Sequence, residues 1–192
     1  MKKALMIASI LFVAVVSTAC INNLAVQELN NKAAEYMQKG DYESAMNRLQ
    51  ASLDLDNTMY ETYYNLGIAA INAKKYEKAI EAFDGGIRIK PDYADFYYSM
   101  GLAQTSLADE ILEGKNSKVE EDVNKVDLKE EEIKISEEDK LRARELKELS
   151  IANLKKYLEM VPDAKDKQTV ESLIVESNNF LNPEVDEAKV TE

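Results

Sequence analysis

The sequence predicts an all-α fold: an antiparallel helix-pair solenoid of about three repeated units, with a C-terminal capping helix. Its composition suits helices, because the 192 residues include only three Pro and six Gly, and no Trp or His. The second observation is an internal period of 34 residues. Such a period is typical of stacked helix pairs, in which each unit buries its apolar face against its neighbours.

The period is visible in two successive alignments. Residues 39–46 align with residues 73–80 without gaps, and residues 63–67 align with residues 97–101 at the same offset. The period places repeat 1 at 25–59, repeat 2 at 60–93 and repeat 3 at 94–162.

The middle repeat resembles the tetratricopeptide repeat. Its matching residues are Tyr63, Leu66, Gly67, Ala70, Ala79, Phe83 and Pro91, and repeat 1 matches at Ala33, Tyr36, Ala45 and Leu49. Lys32 stands where the family has Leu. The resemblance implies two antiparallel helices per repeat, and a concave groove, lined by the first helices, in which ligands dock.

Small residues and terminators fit this arrangement. Gly67 and Gly101 fall where the paired helices should cross, so that the two backbones can approach closely. Pro91 should close the second pair, and Asp41 is a candidate N-cap for the second helix of repeat 1. Tyr63 and Tyr97 occupy the packing position of the family and are expected in the core.

Repeat 3 is divided by a charged insertion at about 114–135. Its first helix should begin near Ala94, and its second helix reappears at residues 150–158 before Pro162. A capping box, Ser136-x-x-Asp139, should start that helix early, ahead of the apolar Leu141, Leu146 and Leu149. Both helices are therefore predicted to be long and to form a hairpin projecting from the solenoid.

The insertion contains three acidic clusters, the first of which is Glu120-Glu121-Asp122. It lacks the oxygen spacing and the turn glycine of an EF-hand loop, so a solvated charged segment is favoured over a calcium site. Interleaved apolar residues leave a second possibility, folding against a basic partner. After Pro162, a capping helix is predicted at 163–182 with an apolar stripe, and a disordered tail at 183–192. The stripe comprises Val170, Leu173, Ile174, Ser177 and Leu181.

The N-terminus has the features of a signal peptide at 1–19. Lys2 and Lys3 precede an uncharged run at 4–16, which is shorter than the roughly 20 residues that span a bilayer. Ser17-Thr18-Ala19-Cys20 resembles the lipobox of bacterial lipoproteins, although that family most often has Leu at the position of Ser17. The resemblance implies a lipid on Cys20 and a short tether at 20–24.

Two alternatives for Cys20 stay open: secretion with a free N-terminal thiol, and retention of an uncleaved anchor. Lipidation would place the protein on a bacterial membrane, facing the periplasm or the exterior. Ile21, the residue after Cys20, permits outer-membrane residence where there are two membranes.

Charge and composition exclude several functions. The net charge of −12, which becomes −14 without Lys2 and Lys3, disfavours binding to nucleic acid. Because the sequence has no His, no phosphate-binding loop and no metal-spaced Cys set, we expect no enzyme activity, cofactor, metal or small-molecule substrate.

The family geometry predicts which side chains face the groove. Tyr64 and Tyr98 are the leading candidates, because tyrosine is favoured at interfaces, although the two rings would also be able to stack on each other. The predicted groove residues are Asn30, Ala34, Met37, Tyr64, Ile68, Ile71, Tyr98, Leu102 and Thr105. The family's carboxylate clamp for acidic C-terminal tails is not expected: Asn65 fits one clamp position, but Asn30, Ala34 and Asp95 replace residues required at others.

The expected function is therefore that of a membrane-anchored scaffold or adapter that binds another protein in its groove. The alternative is a pilotin-like assembly factor or a permanent structural subunit of an envelope complex.

Overall fold

The computed structural model describes residues 23–114 and 135–183, and every regular element within those ranges is an α-helix. The predicted all-α, helix-pair fold is confirmed. The helices are α1 (23–38), α2 (Tyr42–Leu55), α3 (Tyr60–Asn72), α4 (Tyr76–Ile89), α5 (Ala94–Leu112), α6 (Glu137–Met160) and α7 (Lys167–Leu181). The chain divides into two compact units: unit 1 ends at Pro91 and unit 2 begins at Asp92.

In unit 1, α3 packs against both α2 and α4, and glycine makes the second contact possible. A Cβ atom at Gly67 would overlap the ring of Phe83, which is fully buried. A Cβ atom at Gly85 would lie 2.6 Å from Cε1 of Tyr63. Gly67 has the predicted crossing role, and the half-buried Tyr63 packs over a second glycine of the facing helix.

The helices α1 and α3 end in the same way, 34 residues apart. Asp41 N donates to Tyr36 O (2.9 Å), and Lys75 N donates to Ala70 O (2.8 Å). In each case the preceding amide also donates a hydrogen bond, from Gly40 N to Met37 O and from Lys74 N to Ile71 O. Each pair of bonds forms a Schellman motif, which requires a residue in the left-handed conformation after the helix. That residue is Gly40 (φ 74°) in repeat 1 and Lys74 (φ 58°) in repeat 2.

A side-chain cap follows the first of these turns. The Asp41 carboxylate accepts from Ser44 N (3.1 Å), as predicted for an N-cap. Hydrogen bonding from Ser44 lowers the pKa of Asp41 below its ordinary value, because the charged form is the better acceptor.

Unit 2 is built on the long pair α5 and α6. A Cβ atom at Gly101 would lie 2.8 Å from Cγ of Leu154, so this crossing also needs glycine. Ser136 caps α6 by accepting from Asp139 N (3.0 Å), and its hydroxyl donates to Oδ2 of Asp139 (2.7 Å), so the predicted N-cap is confirmed. The insertion at about 114–135 lies almost wholly outside the described residues, as do residues 1–22 and 184–192.

The sequence prediction misplaced part of the apolar face of α6. Leu141 and Leu149 are 58% and 53% exposed, whereas Ala143 and Lys147 are buried. Lys147 occupies its buried position because Nζ lies 2.6 Å from Oδ1 of Asp109 on α5. Because of this ion pair, the buried face of α6 includes a lysine, which the pattern of apolar residues in the sequence does not predict.

The last helix, α7, runs antiparallel to α6 and is fastened at both ends. Near its start, Tyr157 Oη donates to Oδ1 of Asp166 (2.8 Å), and at its end Arg144 Nη2 donates to the carbonyl of Leu181 (3.0 Å). Val170, Ile174, Ser177 and Leu181 of the predicted stripe are buried, and Leu173 is half-buried.

Candidate functional site

A cleft of about 370 Å³ lies between α1 and the start of α3 in unit 1. These are the first helices of repeats 1 and 2, which line the groove in the family geometry. Most lining side chains are polar and uncharged, and four of them are amides. The lining residues are Gln27, Asn30, Asn31, Met59, Glu61, Thr62 and Asn65.

Asn30, a predicted groove residue, anchors the wall of this cleft. Its Nδ2 lies 3.2 Å from Oγ of Ser52 and 3.2 Å from Oγ1 of Thr62. Both hydroxyls are buried, so the amide satisfies groups on α2 and α3 that burial would otherwise leave without a partner. Asn30 thus holds three helices together at the base of the cleft.

Two other amides in the cleft are available to a ligand. Asn31 and Asn65 are exposed, and among the described residues neither side chain has a hydrogen-bond partner. Asn31 is not among the groove residues predicted from the sequence, and Asn65 is predicted only as one position of a carboxylate clamp. A signal was present, because the two residues are 34 positions apart and so occupy one position of the repeat.

The turn before α3 fixes the mouth of the cleft. Asp56 accepts from the amide (2.9 Å) and the hydroxyl (2.6 Å) of Thr58, and these bonds lower the pKa of its carboxyl group. Met59, which lines the cleft, follows this turn as the N-cap of α3. The helix begins at Tyr60, and Glu61 lies in the first turn of the helix.

The remaining predicted groove residues of unit 1 lie outside this lining. Tyr64 is half-buried, with its ring centroid 6.1 Å from that of Phe83. Ile68 and Ile71 on α3 and Met37 on α1 are also half-buried, while Ala34 is exposed. In unit 1, only Asn30 of the predicted groove residues contributes to the cleft.

In unit 2, two of the three predicted groove residues, Tyr98 and Thr105, contact α6. The ring centroids of Tyr98 and Tyr157 are 5.1 Å apart, and Oγ1 of Thr105 lies 2.7 Å from Oγ of Ser150. Leu102 is half-buried. Tyr98 and Tyr97 both pack against the apolar cluster formed by α6 and α7, which fits the core role expected for Tyr97.

A second cleft in unit 1, of about 330 Å³, lies between α2 and α4. Asp54 and Glu81 line it together with Lys78 and Arg88, so its charges are mixed. Mixed charges define no preferred ligand, whereas the α1–α3 cleft contains one carboxylate and no cation in its lining.

The described residues contain no group of three or more side chains that would hold a metal ion. Within the same residues, no helix combines the length and apolar character needed to cross a bilayer. Cys20 and the acidic clusters at 120–122 and 130–132 lie outside the described ranges.

Comparison with known proteins identifies the repeat. Residues 36–104 match the sequence profile of the tetratricopeptide repeat. Over 81 residues, which are 42% of this chain, the sequence is 30% identical to a TPR repeat-containing protein of Methanocaldococcus jannaschii. That alignment covers 14% of the relative, so this chain spans only a small part of the curated protein that it matches.

Two solved structures have the same fold. The first TPR of Spaghetti (RPAP3), bound to the HSP90 peptide SRMEEVD, has a TM-score of 0.58 and 14% identity over 82% of this chain and 94% of that one. The second TPR domain of human RPAP3, in complex with the HSP70 peptide SGPTIEEVD, has a TM-score of 0.56 and 13% identity over 82% and 98%. At such identities the likeness concerns the fold alone. Taken with the matched profile, it shows that residues 36–104 contain tetratricopeptide repeats within a helix-pair fold of the TPR kind.

Proposed function

We propose that this protein is a membrane-anchored adapter of the bacterial envelope that binds an extended segment of another protein in the α1–α3 cleft. The observation that carries the proposal is the pair of exposed amides, Asn31 and Asn65, which occupy one repeat position of the cleft and have no hydrogen-bond partner within residues 23–114 and 135–183. A side-chain amide both donates and accepts hydrogen bonds, which matches the alternating N–H and C=O groups of an extended peptide.

The two related TPR domains support a peptide ligand, since both are described in complex with one. Their peptides end in Glu-Glu-Val-Asp, and this chain offers no cation in the cleft for such a tail. We therefore propose that the ligand is an internal segment or a tail of different charge.

Membrane attachment rests on the N-terminal sequence. Lys2, Lys3, the apolar run and the small residues before Cys20 fit export followed by lipidation. With two or three acyl chains on Cys20, the anchor would be stable, because each buried methylene contributes about 0.8 kcal/mol. Labelling with radioactive palmitate tests this step: wild type should incorporate label and Cys20→Ala should not. Equal labelling of the two proteins would refute lipidation at this residue.

Photo-crosslinking tests the cleft. A photoreactive residue replacing Asn65 should capture the partner in membranes, while the same residue at Asn47 should not. Asn47 is a matched control because it is an exposed asparagine in α2, outside the lining of the cleft. A double Asn31→Ala/Asn65→Ala variant should lose the partner in pull-downs at unchanged abundance.

A permanent structural subunit is the second candidate, favoured by apolar exposure in unit 2. Leu141, Leu149 and Val175 are 58%, 53% and 56% exposed. A permanent subunit would capture the same partner at both photoreactive positions or at neither, and would resist salt extraction as a complex. An adapter would dissociate and yield a monomer.

A further inference from the structure

The helices that form the α1–α3 cleft have an unbalanced charge. Over the described part of α1 and all of α3 there are three carboxylates and one cation, Lys32. Lys32 Nζ lies 3.4 Å from Glu35, so this cation is already paired. Among the described residues, neither Glu28 nor Glu61 has an ion-pair partner. The cleft therefore presents uncompensated negative charge to a ligand.

Within the lining of the cleft, the negative charge lies on one residue, Glu61. Glu61 is exposed in the first turn of α3 and is the charged member of the lining; Asn65 follows one turn later on the same helix. Met59 lies two residues before Glu61 and offers a thioether to the alkyl stem of a long side chain. A carboxylate beside an apolar surface and free amides suits a lysine or arginine within a peptide.

Unit 2 carries the same acidic position. Asp95 comes 34 residues after Glu61, is exposed, and lies in the first turn of α5. Tyr98, on the next turn of α5, pairs with Tyr157 at a centroid distance of 5.1 Å. A carboxylate close to tyrosine rings is also a favourable environment for a cation. The acid therefore recurs at this position in repeats 2 and 3, whereas repeat 1 has Gln27 there, which also lines the cleft.

We infer that the segment bound in the α1–α3 cleft is basic, and that Glu61 pairs with a lysine or arginine of the partner while Asn31 and Asn65 bond its backbone. The inference rests on the proposed function and names the chemistry of the partner. Attraction between the acidic chain and a basic segment also accelerates encounter at low salt.

The test uses the purified full chain and three labelled 12-residue peptides of one Ser/Val background, with Lys, Gln or Glu at alternate positions. Fluorescence anisotropy should show the Lys peptide binding at least about tenfold more tightly than the Glu peptide, with the difference shrinking in high salt. Glu61→Gln should weaken binding of the Lys peptide about threefold.

Glu77→Gln is the matched control. Glu77 is the second residue of α4 as Glu61 is of α3, so each substitution removes one carboxylate from the first turn of a helix. Glu77 is outside the lining of the cleft, and its substitution should leave binding unchanged.

Three outcomes decide between the two proposals. Equal affinity for the three peptides, with loss of binding in Asn31→Ala/Asn65→Ala, overturns the inference and leaves the adapter function standing. Equal effects of Glu61→Gln and Glu77→Gln also overturn the inference. No binding of any peptide, together with no crosslink at position 65, overturns both.

Discussion

The second and third repeats solve one packing problem in two ways. Each places a glycine on its first helix, at positions 34 residues apart, where the second helix crosses. In unit 1 the facing side chain is the ring of Phe83, whereas in unit 2 it is the branched chain of Leu154. Both side chains are fully buried.

The polar content of the two crossings also differs. Counted back from the closing prolines at 91 and 162, Ala79 of unit 1 corresponds to Ser150 of unit 2. Ser150 Oγ donates to the carbonyl of Gly101 (2.8 Å) and lies 2.7 Å from Oγ1 of Thr105. In unit 1 the crossing depends on the fit of the Phe83 ring against Gly67. In unit 2 the flexible Leu154 side chain packs against Gly101, and the hydrogen bonds of Ser150 are added to that contact. The repeat pattern thus determines how closely the helices approach, whereas the side chains that pack at the crossing differ between the two units.

The largest difference should appear when a methyl group is added to each glycine. Gly67→Ala should lower the free energy of unfolding by about 3 kcal/mol, because the new Cβ meets a rigid ring that cannot move aside. Gly101→Ala should lower it by about 1 kcal/mol, since the Leu154 side chain can rotate and alanine favours the helix. Urea denaturation followed by circular dichroism measures both values.

Gly67→Ala/Phe83→Leu is the control for that explanation. The smaller facing side chain should restore part of the lost stability if the ring is the obstacle. Equal destabilisation by the two single glycine substitutions would show that the crossings do not differ as described.

Removing the polar contact should affect unit 2. Ser150→Ala should lower the free energy of unfolding by about 1 kcal/mol, because one buried and one partly buried hydrogen bond are lost while helix propensity is slightly improved. Hydrogen exchange should locate the loss in α5 and α6. An unchanged exchange rate there would mean that the hydroxyl contributes nothing to the crossing.

The Schellman turns offer a smaller and cleaner comparison, because no side chain lies within 4 Å of a Cβ atom added at Gly40. Gly40→Ala should lower the free energy of unfolding by about 1 kcal/mol through backbone strain alone. Lys74→Gly, the reverse change at the equivalent position, should raise it by about 0.5 kcal/mol. Thermal melts of the two variants should therefore shift in opposite directions, and shifts of the same sign would contradict the assignment.

The last comparison concerns the response of unit 2 to high pH. Burial, and then the hydrogen bond to Asp166, raise the pKa of Tyr157 to about 12 from the ordinary 10.0. The folded state therefore holds this proton more tightly than the unfolded state. The resulting stability is complete below pH 10.0 and is lost as pH rises through about 12.

Tyr157→Phe should flatten this alkaline loss, which denaturation at pH 9 to 12 would measure. Unit 1 has Gly86 at the corresponding position and supplies no such group. An unaltered pH dependence in the variant would assign the loss to other tyrosines.

Periodicity made most of this fold predictable, because a 34-residue repeat encodes the helix pairs and their glycine crossings. The cap at Asp41 was predictable from that residue type alone, since the equivalent position of the next repeat is Lys75, which makes no side-chain cap. It failed along α6, where the charged Lys147 is buried beside Asp109 while Leu141 and Leu149 are exposed. An ion pair formed across two helices depends on tertiary geometry that a one-dimensional apolar pattern does not contain.

The candidate site was less predictable for a related reason. The sequence predicts that large aromatic side chains line the groove, but the ring of Tyr64 packs near Phe83 and the ring of Tyr98 packs against Tyr157. The open cleft is instead lined by small amides, whose availability depends on which hydrogen bonds the fold has already used. Asn30 is engaged by Ser52 and Thr62, whereas Asn31, the next residue, is free among the described residues.

The attachment of α7 determines where the chain leaves unit 2. Because Arg144 holds the carbonyl of Leu181, the backbone departs about 10 Å along the helix axis from the start of α6 at Glu137. A fluorophore attached at the exposed Asn182 therefore lies near the start of α6, at the end of the α5–α6 pair that bears the insertion. It would report on neighbours of that end, and a reporter for the opposite end belongs near Pro162.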